Sequence, residues 1–182
     1  MKKVFIFLAE DFEETEAVAT MDVMLRGGLN VISVSITGKS LVTGAHGIAV
    51  NADALFEKAD ISSADMLVLP GGMPGASNLN AHTGVKSVLK QFSASGKKIA
   101  AICAAPLVLG GLDLLQGKKA TAYPGFESTL KGATYVNSPT VKDGNIITGR
   151  GPGFAFQFGL AIVEELLGKA KADEVAEGLL LK

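Results

Sequence analysis

Unbroken apolar runs, each followed by a turn and a helical pattern, constrain this chain more than any other feature of it. Residues 4–9, 66–70 and 99–102 carry no charged or polar side chain, as strands do when both faces of their sheet are covered. Helical patterns at 14–26, 81–92 and 153–167 come between or after these runs, and Gly27-Gly28 closes the first. Further strands are predicted at 31–36, 120–123 and 141–148, the last entered through Lys142-Asp143-Gly144-Asn145. Residues 40–56 set the turn Gly44-Ala45-His46-Gly47 between β-prone runs, which predicts a hairpin, and a weaker helix covers 172–180. The expected fold class is α/β: one doubly wound domain over residues 1–182, with a mostly parallel sheet and helices on both faces.

Composition narrows the function classes. Hydrophobic residues at 48% and charged ones at 19% exclude intrinsic disorder. Seventeen basic against eighteen acidic residues leave no excess to neutralise phosphates, so nucleic acid is not an expected partner. A single cysteine rules out an internal disulfide or a cysteine zinc cage and fits a reducing compartment, the cytoplasm. Met1-Lys2-Lys3 and the apolar run after it imitate a signal peptide, but Glu10, Asp11, Glu13 and Glu14 follow at once. No apolar stretch approaches the ~20 residues that span a bilayer, so no membrane partner is expected.

In an open parallel sheet, ligands bind beyond the carboxyl ends of the strands. Three such segments hold reactive or permissive residues: 10–16, Gly71-Gly72-Met73-Pro74-Gly75, and Cys103-Ala104-Ala105-Pro106. Ala101-Ile102-Cys103-Ala104-Ala105 has the small-x-nucleophile-x-small spacing that a sharp strand-to-helix elbow needs, because the backbone crosses closely there. A thiol on that elbow faces a helix start, whose free N–H groups favour the thiolate. The plainer alternative is a buried cysteine acting as a small hydrophobe. The two histidines, His46 in the hairpin turn and His82 near a helix start, suit surface or capping roles better than that of base.

Carboxylates remain as proton-transfer partners. Helical spacing lines Glu14 up with Val18, Met21 and Leu25, and Glu16 with Thr20, Val23 and Gly27. Periodicity leans towards Glu14 as the buried one without deciding the matter. Glycine in the 71–75 loop permits close approach of backbone N–H groups to an oxyanion, or simply a tight turn. Gly149-Arg150-Gly151-Pro152-Gly153 lacks the final glycine of a dinucleotide fingerprint, and the 71–75 loop lacks the Lys-Ser/Thr of a Walker loop. Asp11, Glu13 and Glu16 have no histidine beside them in sequence, so no metal site is expected.

At these residues the chain resembles the ThiJ/PfpI superfamily, most closely the branch of the parkinsonism-associated deglycase and its bacterial YajL-like relatives. The likeness is carried by Glu13-Glu14-Thr15-Glu16-Ala17 with Met21-Asp22-Val23, by Leu69-Pro70-Gly71-Gly72 with Gly75-Ala76, and by Ile99-Ala100-Ala101-Ile102-Cys103-Ala104-Ala105-Pro106. Lys142-Asp143-Gly144, Arg150-Gly151-Pro152-Gly153 and Leu160-Ala161-Ile162-Val163-Glu164 extend it along essentially the whole chain. The resemblance implies a flavodoxin-like fold and a homodimer that pairs through the first helix with Arg26 near the interface. It also implies a nucleophile at Cys103, a protonated glutamate facing it at Glu16, and oxyanion donors on the backbone of Gly72 and Ala104.

The activity implied is of glyoxalase-III or protein-deglycase type, on methylglyoxal-like 2-oxoaldehydes or their adducts. No external cofactor is needed, because the redox change is internal to the substrate. The alternative is an oxidative-stress sensor or redox-regulated chaperone that works through oxidation of Cys103. Two positions depart from the family's patterns. Ala104 stands where the peptidase-like branch has a histidine, which argues against a peptidase. Tyr123, before Pro124, stands where the human-like branch has a histidine.

Overall fold

A computed structural model describes residues 1–181. In chain order its elements are β1 (Lys3–Leu8), α1 (Glu14–Arg26), β2 (Asn30–Ser35), β3 (Leu41–Thr43), β4 (Ala49–Asn51), β5 (Ala54–Leu55) and β6 (Met66–Leu69). Then follow α2 (Gly75–Ala81), α3 (Thr83–Ala94), β7 (Lys98–Ile102), α4 (Pro106–Gly111), β8 (Lys119–Ala120) and β9 (Thr134–Tyr135). The last elements are β10 (Thr140–Asp143), β11 (Ile146–Gly149), α5 (Ala155–Leu167) and α6 (Lys169–Gly178). Seven strands form one sheet in the order β10-β11-β7-β6-β1-β2-β5. Every pairing in it is parallel except that of edge strand β10 with β11.

The unbroken apolar runs become β1, β6 and β7, the central strands, because only there is a strand covered on both faces. Helices flank the sheet. α1 and α5 pack on each other closely enough that a Cβ on Gly159 would lie 2.8 Å from Val23 and one on Gly27 2.9 Å from Val163. The register pairs Ile6 with Val68, Leu69 with Ala101 and Ile102 with Gly149. The carboxyl ends of β1, β6, β7 and β11 therefore stand in a row, and the loops after them share one edge. The β3–β4 hairpin reaches this edge through Asp11 N–H to Thr43 O (2.8 Å) and Ala45 N–H to Phe12 O (2.9 Å).

Three segments differ from their predicted form. The 81–92 helix is the second of two, since α2 precedes it and His82 separates them. α2 escapes prediction because its sequence, GASNLNA, is small and polar, without an apolar stripe. Residues 141–148 are a hairpin rather than one strand, and only its second arm, β11, joins the parallel sheet. Of the 120–123 strand only Ala120 is paired, in the two-residue β8 against β9. No helix among the described residues is long and apolar enough to cross a membrane.

Candidate active site

Cys103 follows β7 immediately and takes a left-handed backbone conformation, φ 65°, which costs a non-glycine residue strain and aims its side chain off the strand axis. Its N–H is tied to Gly149 O (2.9 Å) and its carbonyl accepts from Tyr123 N–H (2.9 Å), so neighbouring segments hold the elbow in place. The side chain is 8% exposed and opens onto a cavity of about 450 Å³. Gly72, Met73, Ala104, Tyr123, Phe126 and Pro152 line that cavity together with Glu13 and His46.

Glu16 comes to the same thiol from α1 and is completely buried. One carboxyl oxygen, Oε2, accepts the Gly71 N–H at 2.7 Å. The other, Oε1, is buried without a hydrogen-bond partner, and the nearby Cys103 thiol acts on the carboxyl's ionisation. Gly71 lies between the two: a Cβ there would come within 2.7 Å of both Cys103 Cβ and Glu16 Oε2. Gly72, at φ 90°, lies so close to the 11–13 loop that a Cβ would sit 2.5 Å from Glu13 N. The backbone N–H groups of Gly72 and Ala104 lie near enough to the Cys103 sulfur to draw its ionisation down. The structure thus brings Cys103, Glu16, Gly72 and Ala104 together.

Burial lifts the Glu16 carboxyl to about 7, against the downward pull of its bonds to Cys103 and Gly71. Burial first, and then the Glu16 charge, push the Cys103 thiol upward, while the Gly72 and Ala104 N–H groups pull it down. The expected thiolate at a helix start is therefore not favoured while the Glu16 carboxyl is charged. α4 begins only at Pro106 and has six residues, so little helix stands behind the sulfur. The raised carboxyl lies beside a thiol that burial keeps protonated.

Glu14 is buried as well, on the far side of α1 from Glu16. Its Oε1 accepts from His46 N–H (2.6 Å) and Ile48 N–H (3.4 Å), and its Oε2 pairs with His46 Nδ1 (2.7 Å). Burial raises the Glu14 carboxyl, but these bonds outweigh it and hold it below the usual range; the same pairing raises His46. Glu13 caps α1, accepting from Glu16 N–H at 2.6 Å. The sequence expectation that no histidine accompanies the acidic segment fails here, because the hairpin carries His46 to Glu13 and Glu14, with ligand atoms all within 4.8 Å. In this structure Glu14 has its oxygens occupied by the hairpin and Glu13 is occupied by the helix start. His82 has the capping role expected of it, accepting from Val85 N–H at 3.1 Å.

A model of the DJ-1/PfpI family matches residues 2–165. The chain belongs to this family. It is 43% identical over 184 residues to protein DJ-1 homolog A of Arabidopsis thaliana, covering all of this chain and 47% of that protein, so it spans about half the plant protein's length. A protein of Pyrococcus abyssi named as a deglycase is 35% identical over 154 residues, which is 83% of this chain and 91% of that one. Among solved structures, oxidized DJ-1 of Toxoplasma gondii superposes with a TM-score of 0.95 at 36% identity, covering 99% of this chain and 98% of that one. The sequence signals do not reveal Met73, Phe126, Pro152 or the Glu14–His46 pair at this DJ-1/PfpI site. Met73 and Glu14 lie in segments singled out for other residues, Phe126 and Pro152 carry no reactive group, and the hairpin meets α1 only in the folded chain.

Proposed function

We propose that the chain is a cysteine-dependent enzyme of glyoxalase-III or protein-deglycase type, acting on methylglyoxal-like 2-oxoaldehydes or their adducts without an external cofactor. The observation that carries this is the buried Glu16 carboxyl, poised near neutrality beside the Cys103 sulfur. A carboxyl of about 7 is part ionised and part protonated at neutral pH, as a group that must both take and return a proton requires. As the aldehyde carbon meets the sulfur, Glu16 takes the thiol proton and an S–C bond forms while the C=O π-bond opens to an alkoxide. Glu16 returns the proton to that oxygen, giving a hemithioacetal and a carboxylate ready for the next step. The Gly72 and Ala104 N–H groups, which draw the thiol down in the free protein, then hold the oxygen that gains charge.

Glu16 next moves a proton from the aldehyde-derived carbon to its neighbour through an enediol, leaving a thioester. Water cleaves the S–C bond, releasing lactate from methylglyoxal or glycolate from glyoxal and returning the thiol. The relative named as a deglycase supports this chemistry, and Ala104 leaves the histidine base of a peptidase without a place. The protein is mixed with methylglyoxal in buffer free of amines and thiols, and lactate is followed. Turnover that Cys103→Ala abolishes is expected; none above that variant refutes the proposal.

The hydrogen-bonding position of Glu16 also suits a sulfinate on Cys103, and the Toxoplasma gondii relative is described as oxidized. A sensor role in the cytoplasm predicts a stable +32 Da product at Cys103 after mild peroxide, read by mass spectrometry. Val18 and Leu25, both exposed on α1, support pairing of two copies through that helix.

A further inference from the structure

The chain has two arginines, and the fold treats them differently. Arg26 pairs with Asp22 at 2.7 Å on the surface of α1. The guanidinium of Arg150 makes no hydrogen bond or ion pair among the described residues, and its Nε is buried without a partner. A buried donor on a charged group is costly to leave unpaired. The backbone does not explain its position, since Arg150 N–H to Pro139 O (3.0 Å) would form with any side chain but proline's.

Arg150 lines a cavity of about 240 Å³ with Tyr123, Pro152 and Phe154, and no carboxylate shares it. Tyr123 and Pro152 also line the thiol cavity, so the two spaces have a common wall. The chain itself links them, because Cys103 N–H is bound to Gly149 O, the carbonyl next to Arg150. A planar guanidinium with free donors matches a carboxylate or phosphate through two parallel bonds. The small volume and the near-neutral charge of the chain point to a small anion rather than a polyanion.

We infer that Arg150 and the cavity it lines form an anion subsite for the carboxylate or phosphate at the far end of the substrate whose carbonyl meets Cys103. As far as it concerns substrate, this rests on the thiol chemistry proposed above; the anion site itself does not. It selects adducts or phosphorylated carbonyl compounds over bare methylglyoxal, which has no charged end to place there.

The test reads binding without catalysis. Amide NMR signals of Gly151 and Gly153 are followed while inorganic phosphate, or separately acetate, replaces chloride at constant ionic strength. Saturable shifts are expected with at least one anion. In Arg150→Gln the affinity falls about tenfold to a hundredfold, and Arg150→Lys keeps part of it. Tighter phosphate assigns the site to phosphorylated compounds, and tighter acetate to carboxylates. Shifts that never saturate, or that match in wild type and Arg150→Gln, overturn the inference. Loss of lactate production with the anion site intact would refute the proposed reaction alone. Where turnover is measured, Arg150→Gln raises KM for the methylglyoxal adduct of N-acetylcysteine more than for that of its amide; equal changes count against the subsite.

Discussion

Replacing Glu16 by glutamine tests the energetics of the buried pair without changing its shape. The amide keeps an oxygen for the Gly71 N–H and cannot ionise. In the folded protein the carboxyl is lifted from 4.5 to about 7. Below about pH 4.5 the group is protonated in both folded and unfolded chains and costs nothing through ionisation. As pH rises through the window from about 4.5 to about 7, the unfolded chain releases its proton while the folded one retains it, so stability is lost. Each pH unit of displacement is worth about 1.4 kcal/mol, which makes the full loss about 3 kcal/mol. Urea unfolding of wild type and Glu16→Gln from pH 4 to pH 8 measures it, because titrating groups that do not face Glu16 are common to both proteins and cancel in the difference. The variant should gain on wild type by about 3 kcal/mol across the window. A difference that stays flat would refute the attribution of the raised carboxyl to burial. The variant also removes the charge that pushes the thiol upward, so the pH profile of Cys103 alkylation by iodoacetamide should move to lower pH.

Three other perturbations probe the frame of the site. Gly71→Ala drives a methyl against Cys103 and Glu16, and a thermal unfolding scan should show a loss of about 1–3 kcal/mol. Thr148→Val leaves the buried Thr121 N–H without its 2.9 Å acceptor, which should cost about 1–3 kcal/mol in urea unfolding. His46→Gln should loosen the β3–β4 hairpin, seen as faster amide exchange at residues 44–48. The imidazole's contribution is present below the unfolded value of 6.5 and is lost as pH rises through the raised folded value, so the variant should match wild type well above it.

The central strands could be read from sequence because burial on both faces leaves no room for polar side chains, and the elbow because small residues must flank Cys103. The choice between Glu14 and Glu16 could not be read, and the reason is geometric. Residues two apart on a helix point to nearly opposite sides, and the first turn of α1 meets the Gly71 amide on one side and the hairpin on another, so both carboxyls are buried, each against a different partner. The apolar stripe that favoured Glu14 lies at the surface instead, where Val18 and Leu25 are exposed. Neither the lift of the thiol nor the arrival of His46 has a local signature, since both arise from segments that meet only on folding.

The way Gly71 sits between thiol and carboxyl bears on how such a pocket can diversify. Its floor is built from peptide groups: the amides of Gly71, Gly72 and Ala104, and the carbonyl of Ile102, 2.9 Å from where a Gly71 Cβ would lie. Peptide groups do not change when a codon does, and no larger residue fits at Gly71 without displacing the reacting atoms. Ala45, His46, Met73, Tyr123 and Phe126 line the rest of the cavity with side chains. On the reaction proposed above, chemistry and substrate choice would thereby fall on separate parts of the chain, with the peptide floor holding the thiol and carboxyl and the side-chain walls meeting the substrate.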